Sequence, residues 1–147
     1  MVKQTKKIKP IEKNPQKPCD NCNPKKHLKF NFTFMKENGN PAQQDGIKLI
    51  NRLKEISSEI YEIMLYKYQG NKQSFIENIP LTTIKKQIPE EFRELYPYQT
   101  NEHYSVFRIY PAGVPPGSAN PRVIGMIKNT IFYIFFIDWK GDLYKHN

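Results

Sequence analysis

Four side chains in the C-terminal third, Arg108, Arg122, Tyr144 and His146, are of the types that phosphodiester chemistry requires. Guanidinium groups grip and neutralise a phosphate, and a phenol or imidazole within reach moves a proton. A second constellation precedes the body: Cys19-x-x-Cys22 and His27 supply three ligands of a tetrahedral zinc site, with the fourth to come from His103 or His146. That is half of a zinc motif, and a structural zinc is the cofactor it would imply. A thioredoxin-like role is disfavoured, because the pair precedes the first expected strand instead of opening a helix after one. Each residue also has a plain alternative. Arg108 would be an edge charge, Arg122 a strand-end partner of Asp138, Tyr144 sheet packing and His146 a frayed terminus. The chain contains no Walker loop, G-x-G-x-x-G, H-E-x-x-H or G-x-S-x-G, which disfavours nucleotide hydrolysis, dinucleotide redox chemistry and zinc proteolysis.

Charge bears on the same question. The 147 residues carry a net +9, which points to a polyanionic partner. Nine lysines against Glu12 and Asp20 give residues 1–29 a net +7; residues 30–102 carry −1 and residues 103–147 carry +3. The excess therefore belongs mainly to the N-terminal segment, and Lys25, Lys26, Lys29, Lys128 and Lys145 are the expected phosphate contacts. Residues 1–27, with Pro10, Pro15, Pro18 and Pro24 and few aliphatic side chains, read as a basic, flexible arm. Residues 28–147 read as one domain. The most apolar stretch, Ile131 to Ile137, is seven residues long, well short of the ~20 that span a bilayer. With no secretory pattern at the start, the expected compartment is the cytoplasm, and no disulfide is expected.

The elements that must position the arginines follow from periodicity. Leu28, Phe30, Phe32 and Phe34 alternate with polar residues and predict a strand with one apolar face. Glu37 to Pro41 predicts a turn, with Asp45 as the N-cap of a helix that begins near Gly46. Leu49, Leu53, Ile56, Ile60 and Ile63 carry that helix to about Tyr68. Phe75 to Leu81 fits neither period. Pro89, followed by Glu90 and Glu91, opens a second helix through Leu95. Tyr104–Tyr110, Arg122–Lys128 and Ile131–Asp138 then predict three strands, with tight turns at Lys128-Asn129-Thr130 and at Trp139 to Asp142 and a short closing strand at Leu143 to His146. A proline-rich loop, Pro111 to Pro121, joins the first two. The expected class is α+β: an N-terminal strand and two helices packed on one face of an antiparallel C-terminal sheet, preceded by the basic tail.

The pattern of an Arg108-bearing strand, an Arg122-initiated strand, the apolar strand Ile131–Asp138 and the terminal Asp142-Leu-Tyr144 resembles the RelE/ParE superfamily of toxin–antitoxin toxins. The resemblance covers about Leu28 to the end. It implies an mRNA-cleaving toxin, acting on RNA alone or on the ribosome, with a cognate antitoxin protein as partner and no membrane association. It also implies a metal-independent attack by the ribose 2′-hydroxyl, with Arg108 and Arg122 holding phosphate and Tyr144 or His146 as acid or base. A general-base carboxylate would be Glu91 or Glu94. The body is longer than a typical member, the proline-rich loop is unusual and the middle segment is slightly acidic. Two rival classes are a non-catalytic nucleic-acid- or protein-binding module of the same fold, and a zinc-stabilised adaptor organised by Cys19, Cys22 and His27.

Overall fold

The computed structural model describes residues 26–59, 61, 76–97 and 103–144. Of the expected features, most of the basic arm with Cys19, Cys22 and Lys25, the helix beyond residue 61, and Lys145 and His146 lie outside these residues.

The fold is α+β, with a six-stranded sheet and, among the described residues, two helices. Strands β1 (Lys29–Asn31) and β2 (Lys36–Asn38) precede helix α1 (Asp45–Ser58). Strand β3 (Glu77–Pro80), a 3-10 turn (Leu81–Thr83) and helix α2 (Glu90–Leu95) follow, and then β4 (His103–Arg108), β5 (Arg122–Lys128) and β6 (Ile131–Asp138). Strands β4 to β6 form the expected antiparallel meander, and β3, from the stretch that fits neither period, adds antiparallel to the β4 edge, giving the order β3-β4-β5-β6. Both β1 and β2 lie parallel along the free side of β6. The long apolar strand is thus paired on both sides and covered on both faces, which is why its sequence shows no polar alternation. No helix among the described residues is long and apolar enough to cross a membrane.

Alternation along β4 divides the core in two. Phe107 and Ile109 join Leu49 and Ile56 of α1, whereas Tyr104 and Val106 join Phe92 of α2. The helices therefore take opposite faces of the sheet, not the same one as expected. The divider is the two-faced hydrophobicity of β4, β5 and β6, which demands a cover on each side.

Four further expectations change. The strand expected over Leu28–Met35 stops at Asn31, where the Asn31 side chain accepts the Thr33 N–H at 2.9 Å and the Met35 N–H donates to Phe32 O at 3.1 Å, a turn after which β2 begins at Lys36. Phe30 consequently packs on the α1 side and Phe34 on the α2 side, while Phe32 is exposed. Glu37 and Asn38 lie in β2, not in a turn, because their register with Ile137 and Asp138 satisfies the backbone. Helix α1 ends at Ser58, where Glu59 is extended, and Asp45 is its first residue, accepting the Ala42 N–H.

In β6 the alternation slips at Phe135: Ile124 faces Phe136 while Gly125 faces Ile134, so Phe135 and Phe136 both turn to the α2 side. Gly125 is required at this bulge, since a Cβ there would lie 2.0 Å from Tyr133 O and 2.6 Å from Phe132 Cε1. The β5–β6 turn forms as expected, with positive φ at Asn129 and Thr130.

Candidate functional site

The meander brings the two arginines together. Arg108 of β4 lies directly opposite Arg122 of β5, and Arg122 lies opposite Asp138 of β6. Partners in register share a face, and for this row it is the α2 face, in line with Val106 and Ile124. Arg122 is 7% exposed, whereas the Arg108 side chain is 36% exposed. Arg108 Nη2 lies 3.7 Å from Glu77 Oε1 of β3. Nε of Arg108 and Nε of Arg122 are both buried without a hydrogen-bond partner. Two orphaned guanidinium donors on adjacent strands are costly unless an anion meets them.

Tyr144 closes the row. Its ring centroid lies 4.4 Å from Arg122 Cζ, and its carbonyl accepts a 3.4 Å hydrogen bond from Arg122 Nη1. Residues Leu143 and Tyr144 form a bend and not the expected closing strand, because Asp138 ties the chain back on itself. The buried Asp138 carboxylate accepts the Gly141 N–H at 3.0 Å and the Asn38 amide at 2.6 Å through Oδ1, and the Leu143 N–H at 3.0 Å through Oδ2. Asp138 is thus a turn-builder and not the ion-pair partner of Arg122. Burial pushes the Tyr144 phenol up to about 12, against the downward pull of Arg122. At neutral pH it is a proton donor, not a base.

Two positioning residues escaped the sequence reading. Glu77 sits in the stretch that fits neither period, and only the β3–β4 pairing brings it to Arg108. Arg52 is buried within the apolar stripe of α1, where its Nε donates to Arg108 O at 3.1 Å and its Nη1 pairs with Glu55 at 2.7 Å. Its signal is spacing: it stands three residues after Leu49 and four before Ile56, on the buried face.

The remaining candidates lie elsewhere. Lys29 and Lys128 both flank Ile131 at the start of β6, about 23 Å from Asp138 by strand rise. The arginines and these lysines therefore stand at opposite ends of the sheet. Lys128 Nζ sits 4.4 Å from the Tyr96 ring centroid. Lys26 is exposed, and its carbonyl accepts the Tyr61 N–H. His27 Nδ1 lies 3.1 Å from Ser57 O and 3.0 Å from Glu59 O, so the imidazole caps the C-terminal end of α1. His103 lies at the far end of β4 from Arg108 and is exposed. Glu91 and Glu94 are exposed on α2, whose Phe92 packs on Phe34, Tyr133 and Phe135. The carboxylate that pairs with Arg108 is Glu77. Comparison with family models, with curated proteins and with solved structures returns no match.

Proposed function

We propose that this chain is a RelE-like toxin that cleaves mRNA, with the scissile phosphate held at the Arg108–Arg122 end of the sheet. The observation that carries the reading is the in-register pair of arginines with two buried, unpartnered Nε donors. In this reading the arginines offset the charge that builds on the phosphoryl oxygens as the ribose 2′-hydroxyl attacks phosphorus and the bond to the 5′-oxygen breaks. Glu77 takes the hydroxyl proton, and the protonated Tyr144 phenol supplies one to the departing 5′-oxygen. What supports the resemblance is the C-terminal antiparallel meander β4-β5-β6 with an arginine on each of its first two strands. A cytoplasmic location and an antitoxin that covers the arginines belong to the same proposal.

A second reading is favoured by one observation: Arg122 and Tyr144 are 7% and 3% exposed, so this end of the sheet is largely closed. In that reading the fold is a non-catalytic binding module, and Tyr144 packs over Arg122 for stability alone. Inducible expression in a bacterial host separates the two. The toxin reading expects growth arrest with new mRNA ends, both lost in Arg108→Ala and in Tyr144→Phe. Arrest that persists in both variants, with soluble protein present, supports the binding module.

A further inference from the structure

A second cationic site lies on the same face of the sheet, away from the arginine pair. Between the 3-10 turn and α2, the segment 84–88 crosses the start of β4 and encloses an open cavity of about 440 Å³. Its floor is aliphatic, made of Leu81, Ile84 and Ile88, and its rim carries Lys85, Lys86 and Arg93. The backbone of this segment is held at two points: the Lys85 N–H donates to Leu143 O at 3.2 Å, and the Tyr104 hydroxyl donates to Lys86 O at 2.9 Å. The lysine and arginine side chains themselves are exposed, and among the described residues no carboxylate pairs with them. Glu90 and Glu94 of α2 do not line the cavity.

We infer that this cavity binds a nucleotide unit, its phosphate held by Lys85, Lys86 and Arg93 and its base laid against Leu81, Ile84 and Ile88. Three cations without a counter-charge suit a multiply charged phosphate better than a single carboxylate. An aliphatic floor of this size adds affinity for a flat, poorly hydrated body that inorganic phosphate lacks. Tyr104 and Arg108 share a face of β4 four residues apart, about 13 Å by strand rise, so the cavity and the arginine pair are separate sites. The inference does not rest on RNA cleavage, and it holds for a free nucleotide or for one unit of an RNA chain.

The test is amide chemical-shift titration of the full chain with inorganic phosphate, adenosine monophosphate and a short single-stranded RNA. The expected result is movement of the amides of residues 84–93 at a concentration of nucleotide or RNA about tenfold below that needed for phosphate. Movement with the monophosphate assigns a free nucleotide, and movement with RNA alone assigns a chain unit. The response should vanish in Lys86→Ala/Arg93→Ala, two exposed positions whose change leaves the other amides in place, and should survive Arg108→Ala. No movement at 84–93, equal response to phosphate and nucleotide, or loss in Arg108→Ala with retention in the double variant would overturn it. A chain that never cuts RNA still passes this test.

Discussion

Replacing Asp138 by Asn isolates the contact that seats Tyr144 over Arg122. The carboxylate is fully buried and accepts three hydrogen bonds, from the Asn38 amide, the Gly141 N–H and the Leu143 N–H. An amide keeps the shape but turns one acceptor into a donor. With its oxygen left toward Asn38 and Gly141, its NH2 faces the Leu143 N–H, losing a charge-assisted bond worth about 1.5–3 kcal/mol and orphaning a buried donor. Because these contributions overlap, about 3 kcal/mol is a fair total, which corresponds to a fall of about 10 °C in Tm for a chain of this size. The exposed Asp142, which also accepts from Asn38 at 2.7 Å, is the control: Asp142→Asn should cost under about 0.5 kcal/mol. Thermal unfolding followed by circular dichroism reads both variants. An Asp138→Asn protein that melts within about 2 °C of the parent would refute the account of the C-terminal turn.

Gly125→Ala should abolish soluble expression or cost at least about 3 kcal/mol in denaturant unfolding, since the new Cβ meets the Tyr133 carbonyl. Thr130→Gly should stabilise by about 0.5–1 kcal/mol, because a β-branched residue there holds a φ of 63° that glycine adopts without strain; an unchanged denaturation midpoint would contradict it. Burial holds the phenols of Tyr104 and Tyr144 at about 12, above the ordinary value of 10.0. The folded state thus favours their neutral forms, so this stability is complete below pH 10 and is lost as pH rises through about 12. The hydrogen bonds of Tyr110 to Asp45 and of Tyr133 to Tyr96 raise those phenols too, so tyrosinate absorbance should show a group of late-ionising phenols that is smaller by one in Tyr144→Phe.

The meander was legible because its signals are local. Alternation over Tyr104–Tyr110, the unbroken apolar run after Ile131 and the turn residues Asn129 and Thr130 set the β5–β6 hairpin, and the pairing of Arg108 with Arg122 followed from neighbouring strands. What stayed hidden depends on partners distant in sequence. The Phe30-Phe32-Phe34 stripe reads as one face until the Asn31 side chain breaks the chain and sends its first and last rings to opposite sides of the sheet. The division of the helices between two faces has no local signature. His27 has the type and spacing of a ligand, yet its imidazole meets carbonyls 30 and 32 residues away. Asp138 similarly draws its partners from β2 and from the turn that follows it, so a charge match with Arg122 was a weaker guide than the three donors around its oxygens.

The most direct test of the proposed activity is to map the ends of mRNA in a translating bacterial extract to which the purified chain is added, beside Arg108→Ala. An RNA-cleaving toxin should leave 2′,3′-cyclic phosphate ends, and the variant should leave none. Intact mRNA with the folded parent chain, or cuts that the variant makes equally well, would contradict the proposed activity.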